Sequence, residues 1–225
     1  MKRIIKKRFE KLFVTLLTAL FAVCMLAACS PKKGTAFDTS ACYKTKLEPS
    51  AEETDYVQIE IENSAYIVVE LYPVTAPITV ANFKKLVKED FYNGTIFHRV
   101  IKGFMIQGGD PEGTGYGGSK DKIKGEFSSN GVKNDLKHTR GVISMVRSQD
   151  PNSASSQFFI MHADAPHLDG NYAAFGKVVA GLETVDAIAN LAVQDTVYNR
   201  PVIDVHITGM EFVNYTRTPV KSAED

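Results

Sequence analysis

The residues from Phe97 to Asp110, FHRVIKGFMIQGGD, set a basic pair, His98 and Arg99, inside an apolar run. A lone Gln107 and two glycines follow. No Ser, Cys, Asp or Glu stands where a nucleophile would sit before the closing Asp110. If this stretch is an active site, its chemistry needs an arginine, a glutamine and apolar surface, and no nucleophile. Other chemistries have weaker support. GTGYGG, from Gly113 to Gly118, has the spacing of a dinucleotide-binding turn. However, the polar SKDKIKGEFSSNG that follows cannot open the amphipathic helix such a site requires. The five histidines show no metal-ligand spacing, so no metal is expected. Ser155 and Ser156 lie beside an apolar run and outside any G-x-S-x-G turn.

The elements that must position these residues can be read from hydrophobic periodicity. YVQIEIEN alternates apolar and polar residues, as a half-buried strand does. AYIVVELYP follows after an Asn-Ser turn and completes a hairpin. In TAPITVANFKKLVKED, Thr75 can cap a helix and Pro77 suits its first turn, while Ile78, Phe83, Leu86 and Val87 fall mostly on one face. Six further short apolar runs raise the strand count to eight: TIFHRVI, FMIQ, GVISMV, QFFIM, AAFGKVV and VHITGMEFV. A second helix, LETVDAIANLA, precedes the last of them. Short strands, few helices and many glycine turns predict a mainly β fold, a closed eight-stranded antiparallel barrel with two α-helices capping its ends.

The N-terminus reads differently. A basic MKRIIKKRFEK precedes an apolar LFVTLLTALFAVCMLAA, the pattern of an export signal over residues 1–28. LAAC, ending at Cys29, resembles the bacterial lipobox, which implies a lipidated Cys29 and an extracytoplasmic protein anchored to a bacterial membrane. Residues 30–54 are polar and aperiodic and are expected to form a flexible tether; with Cys29 they make up a segment 29–54. The folded domain is expected over 55–215, with a disordered tail over 216–225. Without residues 1–28 the chain has 26 − 6 = 20 basic and 26 − 1 = 25 acidic residues. A net charge of −5 argues against nucleic acid as the partner. Of three cysteines, Cys24 leaves with the signal and Cys29 takes lipid, so Cys42 has no disulfide partner.

FHRVIKGFMIQGGD, GVISMVRSQDPNSASSQFFIM and HLDGNYAAFGKVVAGLETVDAI, in this order, closely resemble the signatures of cyclophilin-type peptidyl-prolyl cis–trans isomerases. With the opening hairpin and helix, the resemblance covers about Asp55 to Val213, and the second block has the form of the bacterial branch. It implies a cyclophilin-like barrel with a shallow groove on its outside, no cofactor, and proline-containing segments of unfolded or exported proteins as partners. Carried over by motif, Arg99, His98, Gln107 and Phe104 are the catalytic candidates. Met105, Gly115, Val146, Arg147, Gln157, Phe159, His167, Leu168 and Tyr172 are the substrate-binding ones. Singly, Phe104 and Phe159 would read as core aromatics and Arg99 as a surface cation. Their joint occurrence at the motif positions distinguishes them.

The implied reaction fits the missing nucleophile. An X–Pro amide is planar by resonance, with a rotation barrier of about 18–20 kcal/mol, and uncatalysed exchange takes roughly tens to hundreds of seconds. No covalent bond is made or broken. In the twisted state the prolyl nitrogen gains a lone pair, which a fixed guanidinium can stabilise. Arg99 is the candidate for that role, Gln107 and Gln157 can orient it or bind substrate backbone, and Phe104, Met105, Phe159 and Leu168 suit a pocket that holds the ring. His98 lines the groove without acid–base work. His167 stands where eukaryotic relatives carry Trp, and Tyr172 at a nearby family His position, so cyclosporin should inhibit weakly while activity is retained. Two other readings compete. One is a non-catalytic holdase that binds proline segments in the same groove. The other is a solute-binding lipoprotein, for which one barrel leaves little room. A monomer is expected.

Overall fold

The computed structural model describes residues 36–216. The signal segment, Cys29 and most of the expected tail lie outside them. Eight strands form one antiparallel sheet. They are β1 Tyr56–Ile61, β2 Ala65–Leu71, β3 Arg99–Ile101, β4 Met105–Gly108, β5 Val142–Met145, β6 Phe158–Met161, β7 Ala174–Ala180 and β8 Ile207–Phe212. Their spatial order is β3-β4-β6-β5-β7-β2-β1-β8. The closed barrel expected from the strand count is instead a curled, open sheet, because the terminal strands β3 and β8 share no ladder. β3 has only three residues. Irregular backbone spans the seam beside it. The Gly94 N–H donates to the Ile207 carbonyl at 2.8 Å, the Ile207 N–H to Thr95 at 2.8 Å and the Phe97 N–H to Val205 at 3.1 Å.

Alternation along the strands sorts side chains to two cores. Val100, Ile106, Ile143, Phe158, Ile160 and Phe175 point into the concave interior with Ile59, Ile67 and Val69. Their neighbours Met105, Val142, Phe159, Met161 and Ala174 form a second apolar cluster on the opposite face, under Ala165 and Leu168. Burial on both faces explains why FFIM and VISM are apolar without interruption.

Helix α1, Pro77–Lys88, covers one end of the interior. Phe83 reaches the rings of Tyr92, Phe158 and Phe175, at centroid distances of 5.3, 5.9 and 5.2 Å. Its N-cap is Ala76 and no side chain of the cap bonds the helix, so Thr75 does not do so. Glu126 supplies the missing acceptor from 47–48 residues away, bonding the N–H groups of Ile78 at 3.0 Å and Thr79 at 2.7 Å. Ile78, expected on the apolar face, is 43% exposed. Helix α2, Leu182–Ala189, starts at Gly181, whose φ is +87°. A Cβ there would stand 2.4 Å from the Tyr66 carbonyl, so glycine is required.

The segment expected to be a free tether is ordered from residue 36 onward. Phe37 and Cys42 are buried in the main core. The Tyr66 N–H donates to the Tyr43 carbonyl, and the Tyr43 N–H to Thr184 Oγ1. Gln58 holds the arm from β1 by accepting from the Leu47 N–H and donating to the Thr45 carbonyl. Pro49 bridges Val213. Two scattered apolar residues and a row of backbone bonds fix this arm, and neither produces a sequence period.

Candidate active site

Strand pairing assembles the site. Arg99 on β3 lies opposite Gln107 on β4, Gln107 opposite Phe159 on β6, and Phe159 opposite Ser144 on β5. Directly opposed residues share a face, and so does Met105, two positions from Gln107. This face is the outer one. On it, Arg99 Nη1 donates to Gln107 Oε1 at 3.2 Å. Gln107 Nε2 donates to Gln157 Oε1 at 2.9 Å. Gln157 Nε2 in turn reaches the carbonyls of Gly115 at 3.0 Å and Gly117 at 2.7 Å. Among the described residues the Arg99 guanidinium makes no other hydrogen bond, so one edge is fixed and the remaining donors are uncommitted.

Beside this relay is a cavity of about 280 Å³. Arg99 and Gln107 form its polar edge, and Phe104, Met105, Phe159 and Leu168 its apolar wall. Val146, Arg147 and Tyr172 complete it. A small apolar pocket next to a partly fixed guanidinium suits a group that must be gripped while charge develops beside it. Burial lowers the Arg99 pKa, with Tyr172 acting the other way. An arginine nonetheless stays protonated.

Residues 56–212 match the family described as cyclophilin type peptidyl-prolyl cis-trans isomerase/CLD. The chain belongs to the cyclophilin family. It is 48% identical over 145 residues to a human protein named peptidyl-prolyl cis-trans isomerase-like 3, covering 63% of this chain and 86% of the relative. It is also 48% identical over 134 residues to a peptidyl-prolyl cis-trans isomerase of Acinetobacter baylyi, covering 57% of this chain and 69% of the relative. Among solved structures it resembles a Cryptosporidium parvum cyclophilin-type isomerase crystallised in the presence of the dipeptide Ala-Pro. There the TM-score is 0.64 and the identity 35%, over 71% of this chain and 99% of the other. This cyclophilin is a peptidyl-prolyl cis–trans isomerase.

Not every residue named from the motifs of this cyclophilin lines the 280 Å³ pocket. His98 and Gly115 border a separate cavity on the far side of Arg99. Gln157 is the third member of the relay and does not line the pocket. His167 stands outside the pocket, stacked on Phe104 at a centroid distance of 5.7 Å. Arg147 is engaged already. Its guanidinium lies 4.8 Å from the centre of the Tyr172 ring and 5.2 Å from that of Phe127. Its Nε bonds the Asn171 carbonyl and Nη1 the Ser148 carbonyl. It is placed to brace Tyr172 more than to reach a peptide. The Val146 N–H is bonded to the Gln157 carbonyl at 2.9 Å.

Sequence reasoning missed the layer under the pocket. His138 is buried and stacks on Phe159 at 6.0 Å with the planes 16° apart. Its Nδ1 is 3.1 Å from Asp169 Oδ1 and its Nε2 3.0 Å from Ser144 Oγ. Burial lowers the His138 pKa, against an opposing pull from Asp169. No spacing rule links residues 138, 144 and 169; only the fold brings them together. Asp110, the single carboxylate of the first motif, is also explained. It accepts the N–H groups of Glu112, Thr114, Gly115 and Gly117 at 2.6–3.2 Å. Burial pushes its pKa up, but these bonds prevail and hold it below the usual carboxylate range. Asp110 thereby shapes the turn whose carbonyls receive Gln157.

Proposed function

We propose that this cyclophilin accelerates X–Pro isomerisation in exported proteins as they fold outside the cytoplasm, working as a bacterial lipoprotein anchored through Cys29. The observation that carries the catalytic part is the relay Arg99–Gln107–Gln157 beside an apolar pocket of about 280 Å³. In this reading the proline ring sits against Phe104, Met105, Phe159 and Leu168. The N-terminal side of the bond rotates. The uncommitted Arg99 donors meet the prolyl nitrogen or the neighbouring carbonyl as conjugation is lost. That interaction is strongest in the twisted state, so it lowers the barrier without tightening ground-state binding. The lipobox-like LAAC and the export-type N-terminus support the location.

Two measurements test this. Isomerisation of a short X–Pro peptide should be fast with the native chain. With Arg99→Ala it should fall by about 10²–10³-fold in kcat, the scale of losing one preorganised donor, while the melting temperature hardly moves. An Arg99→Ala variant as active as its parent would sink the mechanism. Mass spectrometry of the mature N-terminus from membrane extracts should find lipid on Cys29; an unmodified Cys29 would rule out the anchor.

A further inference from the structure

A larger cavity adjoins the proline pocket. It holds about 540 Å³, within the range of roughly 300–1,000 Å³ that accommodates ligand-sized groups. Both cavities include Arg99 and Gln107 in their walls. A peptide with its proline in the smaller cavity therefore has the larger one directly beside it. One wall is the glycine turn 113–116 and the other the loop 194–200, with His98 between them.

Both walls are held in shape. Asp110 fixes the glycine turn through the N–H groups of Thr114 and Gly115. Asp195 Oδ1 accepts the N–H groups of Val197 at 2.8 Å and Tyr198 at 2.6 Å. Arg200 Nη1 crosses from one wall to the other and donates to the Gly113 carbonyl at 2.9 Å. Asp195 thus serves its own loop and Arg200 also pairs with Asp204 at 3.0 Å, which leaves the uncommitted donors of Arg99, in the wall shared with the proline pocket, as the open charge of these walls. In the isomerase reading those donors are taken up by the X–Pro bond itself, so the walls beyond Arg99 favour no charged side chain over a neutral one.

The rim is apolar instead. Tyr116, Val197 and Tyr198 are 86%, 76% and 64% exposed, and all three line this cavity. Six large apolar side chains are conspicuously exposed among the described residues, so half of them surround one hollow. Scattered apolar exposure is ordinary, but clustering around a concave site marks a contact surface. Its continuity with the proline pocket identifies the occupant as the same client chain.

We propose that this cavity is a subsite for client residues flanking the X–Pro bond, and that Tyr116 and Tyr198 select an aromatic or aliphatic side chain within three residues of the proline. Three extended residues span about 10 Å, enough to pass from one cavity to the next. The inference rests on the isomerase reading above and adds its sequence preference.

The test is a set of peptides with one proline in an alanine background. Phe, Leu, Asp or Lys is placed in turn at each of the three positions on either side, and exchange is followed by NMR. The native chain is compared with the double variant Tyr116→Ser/Tyr198→Ser. Both side chains are exposed, and a melting curve checks that the fold is kept. At one or two positions Phe or Leu should raise kcat/KM about three- to tenfold over Asp or Lys, the range of an aromatic contact, mainly through KM. The double variant should lose that preference and still turn over the all-alanine peptide at the native rate. A flat scan, or a preference that survives the double substitution, would overturn the subsite alone. Failure of the native chain on the all-alanine peptide would overturn the isomerase reading and the subsite together.

Discussion

His98 and His138 make the least expected contribution at the scale of single residues. Both are buried. Burial is the main cause lowering each pKa, against the pull of Asp110 on His98 and of Asp169 on His138. Among the described residues neither ring nitrogen of His98 has a hydrogen-bond partner. The Ile96 backbone is close enough to raise its pKa slightly without bonding geometry. Because both pKa values are depressed on folding, the unfolded chain takes up protons that the native chain refuses. Stability is therefore full above the unfolded value of 6.5 and is lost as pH falls below it. The slope is at most about 1.4 kcal/mol per pH unit for each histidine. Urea midpoints should drop between pH 7.5 and pH 5, before Asp110 and Asp169 reach their range below 3.8; equal midpoints would contradict this. Activity should stay flat from pH 7 to about 9, because no proton is transferred and Arg99 keeps its charge. His167, stacked on Phe104 at the position for which the resemblance implies a Trp in eukaryotic members, leads to a second expectation. An inhibition curve should show weak cyclosporin binding with turnover intact.

Among the elements, α1 depends on a residue outside itself. Glu126 is buried and bonds Ile78, Thr79 and the Thr79 hydroxyl, so it neutralises a helix start that has no capping side chain. Glu126→Ala should cost about 2–3 kcal/mol, because charged bonds to buried donors are lost together. Its melting temperature should fall by roughly 4–12 °C, with kcat/KM nearly unchanged because α1 lies on the far side of the sheet from Arg99. A drop under 2 °C would show the cap to be dispensable. The same element shows what a linear reading can reach. The span of α1 was legible, since Pro77 and the apolar spacing are local signals. Its cap was not, because the partner lies 47–48 residues away in an irregular segment. The six short strands were legible as apolar runs, but the pairing that stops β3 at three residues was not. Arg99, Gln107 and Phe159 could be named from motifs. Their alignment on one face follows from cross-strand register, whereas the His138 layer beneath them is built from residues 138 and 169, outside the strands, bonded to each other and to Ser144 of β5.

For the whole molecule, the fold begins earlier than hydrophobic period indicates. Phe37 and Cys42 belong to the main core, although they lie in a stretch whose composition reads as linker. Lys84 and Lys88 of α1 reach back to Glu53, and Lys84 to Asp55, extending the attachment past the core. A chain beginning at Asp55 should therefore be less stable than one beginning at Ala36. The loss of Phe37 alone is worth on the order of 3 kcal/mol, or about 6–12 °C in melting temperature. Calorimetry on the two chains gives the comparison, and indistinguishable curves would show the arm to be a passive covering.

Under the proposed lipidation the packed arm would also set a leash. In the lipidated form proposed above, only residues 30–35 separate Cys29 from the first described residue, Ala36. Six residues reach about 20–22 Å at most, whereas the 25 residues from 30 to 54, all free, would reach about 80–90 Å. A domain of this size has a radius of gyration near 16 Å, so the leash would be no longer than about the domain's own radius. Catalysis would then be confined to a thin layer above the lipid, where chains leaving the membrane are concentrated. Clients already released into the surrounding volume would be beyond its reach.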